Sequence, residues 1–507
     1  MGIFCLYAST HLGLEASIVQ VEIDISSGLP SFTIVGLPDA AISEARDRVR
    51  SAIRNCQFSF PRTKVTVNLA PAHLKKQGAS LDLSIATGIL AASGSIHHTE
   101  ALSDSLLLGE LSLGGVLRPV SGTLLATSLA QERGMKRVFV PKDNANEAAL
   151  VKGIDVIAIS HLQDLVRSCN EQIPIQPLQL KNISTLSEKH SIDFSDIKGL
   201  EQAKRTIEIA AAGSHNILLS GTPGSGKTML ARSVPSILPE LTFQEALEVT
   251  KIQSVSRSKK FSDGLITKRP FRAPHHSSSN IALVGGGSWP MPGEISLAHR
   301  GVLFLDEFPE FSRSAIENLR QPLEDGVITI SRVAGTTTFP AKFMLVAAMN
   351  PCPCGYLTDP AKSCRCTPSK IARYQYKISG PLMDRIDLAI DVPRIAFEKL
   401  NSLEAGETSK DVRIRVQSAR NLQSKRYKNE GIISNAELTG KKIRKYCKID
   451  QKSTELLKQA VERLHLSPRA FTRILKVSRT IADLENSSTI ENEHLAEALQ
   501  YRPSIEG

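Results

Sequence analysis

Asn216-Ile-Leu-Leu-Ser-Gly221-Thr-Pro-Gly-Ser-Gly226-Lys227-Thr228-Met-Leu-Ala reads as a short buried strand, a glycine-rich turn and the first turn of a helix. Its spacing is G-x-x-x-x-G-K-T, that of a phosphate-binding loop. Across Gly221, Thr222, Pro223, Gly224, Ser225 and Gly226 the glycines let the backbone bend tightly, so that successive N–H groups point inward at phosphate oxygens. A helix opening near Lys227 adds the positive end of its dipole to the same spot. Lys227 is expected to reach the β- and γ-phosphates, and the Thr228 hydroxyl to ligate Mg²⁺. An ordinary Gly/Ser loop is the bland alternative, but it gives no reason for the strand before and the helix after. The expected ligands are a nucleoside triphosphate and Mg²⁺.

Two downstream stretches complete such a site. Gly301-Val-Leu-Phe-Leu-Asp306-Glu307 is an apolar run ending in two acids, and a buried strand would deliver both carboxylates to its C-terminal edge. Asp306 is expected to hold Mg²⁺ and Glu307 to orient and polarise the attacking water. Phe343-Met-Leu-Val-Ala-Ala-Met-Asn350 is a second buried strand, ending in a polar amide. Between them, Val327-Ile-Thr-Ile-Ser-Arg332-Val-Ala-Gly335 reads as a hairpin with Gly335 near its turn.

At 507 residues the chain exceeds one hydrophobic core, so two to four domains are expected. Its 41% hydrophobic and 22% charged residues are those of a soluble globular protein, and no apolar run is long enough to cross a bilayer. Met1-Gly-Ile-Phe-Cys-Leu-Tyr lacks the charged start of a signal peptide, so the cytoplasm is the expected compartment, with no membrane partner. A net charge of +11 suggests a polyanionic partner such as nucleic acid, a weak signal by itself.

Residues 1–170 alternate strand and helix patterns and form a complete α+β domain. Ser17–Ile25, Ser31–Val35 and Lys64–Ala70 read as strands; Leu37–Ile53 reads as an amphipathic helix capped by Asp39, and Leu81–Ala92 as a buried helix capped by Ser80. Residues 171–192 have the composition of a linker, 193–395 form the phosphate-loop core, and 396–507 are helical. In that last segment Ser467 is expected to cap a helix with Pro468 at its first position, and the basic runs read as solvated faces or DNA contacts. The adjacent His275 and His276 point to opposite faces of an extended chain, favouring polar contacts at a subunit interface or with nucleic acid over metal. Cys352, Cys354, Cys364 and Cys366 form two C-x-C pairs closing one loop, which suits a structural Zn²⁺, with reduced thiols or a redox-sensitive disulfide as alternatives.

Several stretches carry family resemblances. Lys76-Gln-Gly78-Ala-Ser80-Leu-Asp82-Leu, Gly115–Leu124 and Val138–Glu147 resemble the proteolytic domain of Lon protease, which uses a Ser–Lys dyad. Ser80 stands at the serine's place, but Leu124 stands where the lysine is expected, so the resemblance implies the fold without the chemistry. Asp193–Lys204 and the motifs above resemble an AAA+ module, with Ile197–Leu200 beside the adenine. By that resemblance Asn350 is the sensor-1 residue that positions the lytic water. Arg332, on a hairpin of the kind that faces the pore of ring-shaped DNA motors, is a DNA-contact candidate, a solvent-facing arginine being the alternative. Leu382-Met-Asp384-Arg385-Ile-Asp387 matches the segment supplying an arginine finger to the neighbouring subunit, so Arg385 demands an oligomer. Arg469 matches the sensor-2 arginine that touches the γ-phosphate, with Arg473 as alternate.

Taken with Arg272-Ala-Pro-His-His-Ser-Ser-Ser and Asn350-Pro-Cys-Pro-Cys-Gly, the chain closely resembles the ComM/YifB family, related to the ATPase subunit of magnesium chelatase. The resemblance implies a multidomain α/β fold: an N-terminal α+β Lon-protease-like (ribosomal S5 domain 2-like) domain, a central AAA+ phosphate-loop α/β domain and a C-terminal helical lid. It implies a homohexameric ATPase driving branch migration of single-stranded or branched DNA during natural transformation. A chelatase-like ATPase remodelling a protein partner is the alternative, and an ATP-dependent protease the least favoured.

Overall fold

The computed structural model describes residues 3–36, 40–76, 78–173, 175–178, 192–256, 264–333, 335–395 and 406–502. The expected cap at Asp39 and most of the 171–192 linker lie outside them. Among the described residues no helix is long and apolar enough to cross a membrane.

The architecture is multidomain α/β with a parallel sheet and a helical C-terminal region. The N-terminal part is built on a seven-stranded mixed sheet. Its order is Ser31–Val35, Lys64–Ala70, Glu15–Ser26, Phe4–Leu12, Ser105–Leu107, Arg137–Pro141, Asp155–Ile159. Helices Ala40–Asn55 and Asp82–Ala92 cover this sheet through Ile42, Val49, Leu83 and Ile89, all shut from solvent. Ser80 does not cap the second helix. The chain is already helical at Leu81, the helix begins at Asp82, and no side chain caps it. Asp82 instead serves packing: it is buried, accepts from Arg48 Nε at 2.9 Å and from Leu111 N at 3.2 Å, and burial pushes its pKa up to about 6 despite that arginine.

In the central part, a five-stranded parallel sheet has the order Phe271–Arg272, Val302–Leu305, Met344–Met349, Ile217–Gly221, Leu388–Val392. Alternate residues of the three central strands enter two different cores. Ile217, Leu219, Phe304 and Val346 join one apolar cluster, while Leu218, Leu303, Leu305 and Ala347 join the other. This is the two-sided burial that makes such strands read as unbroken apolar runs. The first cluster continues without interruption into Val416, Leu475 and Ile481 of the helical region, so core and helices share one interior. The helix Pro468–Leu484 begins as its sequence demands, with Ser467 Oγ accepting from Ala470 N at 3.2 Å and Pro468 in the first turn.

The N-terminal part docks onto the core through the helix Thr123–Glu132 lying against Phe243–Ser254, with Gly122 N donating to Ser254 O at 3.0 Å. A second contact joins the turn after Phe4–Leu12 to the hairpin Val327–Arg332/Gly335–Pro340. A side chain at Gly13, whose φ is +60°, would collide with the Thr337 hydroxyl. Leu124, where the expected Lon resemblance would put a lysine, is fully buried and its N–H donates to Glu147. Among the described residues no basic side chain is placed on Ser80.

Candidate active site

Neighbouring parallel strands end at the same edge of their sheet, and the loops leaving them gather there. The phosphate loop comes after Ile217–Gly221, Asp306 and Glu307 after Val302–Leu305, and Asn350 after Met344–Met349. The helix Lys227–Ile237 opens directly on the loop. Lys227 is buried, and its ammonium donates to Gly221 O and Thr222 O, each at 2.8 Å, and to Asn350 Oδ1 at 3.3 Å. Burial holds its pKa below the ordinary lysine value, Asp306 opposing that shift. Thr228 Oγ1 donates to Asp306 Oδ2 at 2.8 Å, so the two groups expected at Mg²⁺ stand side by side. This donor set, a hydroxyl and a carboxylate beside a buried ammonium, would suit a hard divalent cation accompanying a polyphosphate. Leu200 Cδ1 stands 3.6 Å from where a Cβ on Gly226 would be, placing the Ile197–Leu200 segment against the loop.

Replacing Lys227 with alanine removes the ammonium that ties loop and amide together. Nucleotide binding, measured with a fluorescent ATP analogue, is expected to fall below detection while the melting temperature stays within a few degrees.

Glu307 has a left-handed backbone, φ +50°, which is uncommon for a residue with a side chain and is a form of local strain found at functional sites. Its N–H donates to Asp306 Oδ1 at 3.0 Å, and its Oε2 lies 3.0 Å from His276 Nδ1. The partner of His276 is thus a carboxylate of its own chain. Phe271–Arg272 lies next to Val302–Leu305 in the sheet and brings the histidine across. The sequence leaves this contact unread, because nothing local to His276 reveals which strand its own strand joins.

The four cysteines converge. Cys352 Sγ lies 3.4 Å from Cys354 Sγ and 3.7 Å from Cys364 Sγ, and Cys354 lies 3.5 Å from Cys364. All four sulfurs fall within 4.8 Å of one another. A tetrahedral Zn²⁺ with ligands at about 2.3 Å needs sulfurs about 3.8 Å apart, so the set fits that ion. Backbone N–H groups of Tyr356 and Arg365 hold the Cys354 thiol down at about 6. The knuckle leans on the phosphate loop: Gly355 has φ +84°, and a Cβ there would sit 2.5 Å from Pro223 Cδ. Metal analysis of protein purified without chelator is expected to give one zinc per chain. Stripping it should weaken ATP binding severalfold, whereas metal-free protein with unchanged affinity would make the knuckle a bystander.

The arginines lie elsewhere. Arg385 and Asp387 precede Leu388–Val392, at the sheet edge opposite the phosphate loop. Asn216 fixes this turn, its amide donating to Arg385 O at 2.9 Å while its own carbonyl accepts from Asp387 N at 2.9 Å. Arg473 donates to Met383 O at 3.3 Å and Ile386 O at 2.5 Å, so this expected alternate for sensor 2 holds the turn that carries Arg385. Arg469 reaches Glu324, which also holds Arg385. The structure therefore brings Arg469 to Arg385 and not to the phosphate loop of its own chain. Arg332 is exposed at the hairpin's end, donating to Ser331 O at 3.2 Å, and among the described residues no carboxylate pairs with it.

Comparison with known proteins agrees with this layout. Residues 193–400 match the family model for magnesium chelatase, subunit ChlI; residues 21–144 match that for subunit ChlI of Mg-chelatase; residues 406–502 match that for its C-terminal part. Competence protein ComM of Haemophilus influenzae is 46% identical over 100% of this chain and 98% of its own length. YifB of Escherichia coli is 43% identical over 99% of this chain and 97% of its own length. Rv2897c of Mycobacterium tuberculosis is 44% identical over 97% and 96%. Similarity of that depth from end to end, on a chelatase-type ATPase framework, makes this chain a member of the ComM/YifB family.

Proposed function

We propose that the chain is a cytoplasmic AAA+ ATPase that assembles as a homohexameric ring and acts as a DNA helicase, promoting branch migration of single-stranded or branched DNA in recombination during natural transformation. In this reading residues 1–170 are a proteolytically inactive Lon-like domain, 193–395 the motor core and 396–507 its lid. One observation carries it. The groups that bind and polarise a triphosphate (Lys227, Thr228, Asp306, Glu307, Asn350) lie on one edge of the parallel sheet, and the arginines that would complete hydrolysis lie on the other. A protomer with a grip on one edge and a guanidinium on the opposite edge completes a site only head to tail, and head-to-tail contacts close into a ring where the rotation between neighbours divides the full turn. Arg385 then acts on the neighbour's γ-phosphate, and Arg469 beside it does the same.

DNA as the track is supported by the competence name of the 46%-identical relative, by the net charge of +11, and by the hairpin. There Arg332 is exposed and Val333 is 95% exposed at the tip. The test is ATPase turnover with no DNA, single strands, duplex and a four-way junction. Junctions or single strands are expected to raise turnover severalfold, and DNA affinity to fall steeply with added salt, because binding phosphates releases counterions. Turnover indifferent to every DNA, with stimulation by a protein partner instead, would replace the motor by a chelatase-like remodeller.

A further inference from the structure

The N-terminal edge of the five-stranded sheet borders a cavity of about 540 Å³ between the core and the helical region. Arg385, Arg469 and Glu324 all line it. Glu324 comes from the short helix Arg320–Asp325, and its side chain is half-exposed. One carboxylate oxygen accepts from Arg385 and the other accepts from Arg469 at 3.3 Å. The Arg385 side chain is only 13% exposed; one of its N–H groups goes to Pro381 O at 2.5 Å, and its Nε is buried with no partner. Two guanidiniums of like charge are thus drawn together, and a single anionic group bridges them. A carboxylate offers them two oxygens, and a terminal phosphate would offer three.

We propose that Glu324 is an internal stand-in for the terminal phosphate of the nucleotide bound by a neighbouring copy: it gathers Arg385 and Arg469 in the free protomer and gives them up when that phosphate arrives. This rests on the reading that Arg385 works across a subunit boundary. Glu324 is then a positioning residue that sets how readily protomers engage. The arriving triphosphate competes with an internal anion, so productive assembly requires a higher protomer concentration than bare arginines would. Because both pairs are partly exposed, the competition is modest, about three- to tenfold in concentration.

The test measures ATPase turnover against protomer concentration for the full chain and for Glu324→Gln, with Arg385→Ala alongside. The glutamine is expected to lower the half-maximal concentration about three- to tenfold and to leave the plateau turnover within twofold. The gap should narrow at 0.5 M salt, where exposed ion pairs are screened. A carboxylate needed to aim the arginines would instead lower the plateau, and that outcome overturns the proposal. So does an unchanged midpoint, or turnover independent of concentration in both proteins. If Arg385→Ala is inactive while Glu324→Gln behaves as the parent, only the stand-in fails. If Arg385→Ala keeps full turnover, the cross-subunit reading itself has failed.

Discussion

Glu307→Gln slows ATP hydrolysis by ~10²–10⁴-fold while leaving nucleotide bound, the range lost when a positioned general base is removed. The expectation comes from where the side chain stands. Glu307 is next in the chain to the residue that touches Thr228, so it borders the side chains expected to hold metal and phosphate without being one of them. The amide keeps the shape and still bonds His276, but it cannot draw the proton from an attacking water. Binding should survive because Lys227, Thr228 and the loop N–H groups are untouched. Two measurements settle it together: single-turnover hydrolysis, and nucleotide retained after gel filtration. Lost binding would make Glu307 part of the phosphate grip, and normal hydrolysis would move the base elsewhere. His276→Ala separates orientation from chemistry. It removes a partner 3.0 Å from the carboxylate but no catalytic group, so its loss should be much smaller, and a loss as large as that of the glutamine would make the histidine part of the reaction.

Legibility in the sequence divides by range. The phosphate loop, the strand Val302–Leu305 with its two acids, the strand ending at Asn350, the hairpin around Gly335 and the cap at Ser467 are specified by residues within about ten positions of one another, and each forms where its pattern places it. The strand Phe4–Leu12 is hard to read because both faces are partly covered and Phe-Cys-Leu-Tyr-Ala-Ser-Thr-His-Leu shows no clean alternation. A signal is present nonetheless: Gly13-Leu14 between Leu12 and Glu15 is a two-residue hairpin loop opening on glycine. Ser80 misleads because a serine before an apolar run usually caps, whereas here the chain is already helical at Leu81. The contacts of His276, Glu324 and Arg473 are out of reach for another reason. The first depends on which strands neighbour each other and the other two on how helices dock beside the sheet, all contacts between segments far apart in the chain. Nor does the sequence reveal that Arg385 and Arg469 share one edge of the sheet. That needs the order of the five strands.

Arg385→Ala is expected to lower turnover by ~10³–10⁵-fold, the range known for a guanidinium that stabilises charge on the transferring phosphoryl group. Its own nucleotide affinity should not change. Arg385 precedes Leu388 and the phosphate loop comes after Gly221, and since Ile217 pairs with Leu388 and Gly221 with Val392, the whole length of the strand separates the two within one chain. Under the head-to-tail reading the effect is expected at another chain's site, which mixing can reveal. Lys227→Ala protomers hold no nucleotide but still present Arg385, whereas Arg385→Ala protomers hold nucleotide but present nothing. Each alone is silent. In an equal mixture of randomly assembled head-to-tail rings, roughly one interface in four joins an intact loop to an intact finger. Turnover should return to about that fraction of the parent, a recovery that no arrangement confined to a single chain can produce. A mixture as silent as its parts, in rings shown to exchange subunits, would place the missing charge elsewhere. The turn is built to hold such a residue still. Asn216 ties it to the start of the very strand that carries the phosphate loop, and Arg473 ties it to the helical region.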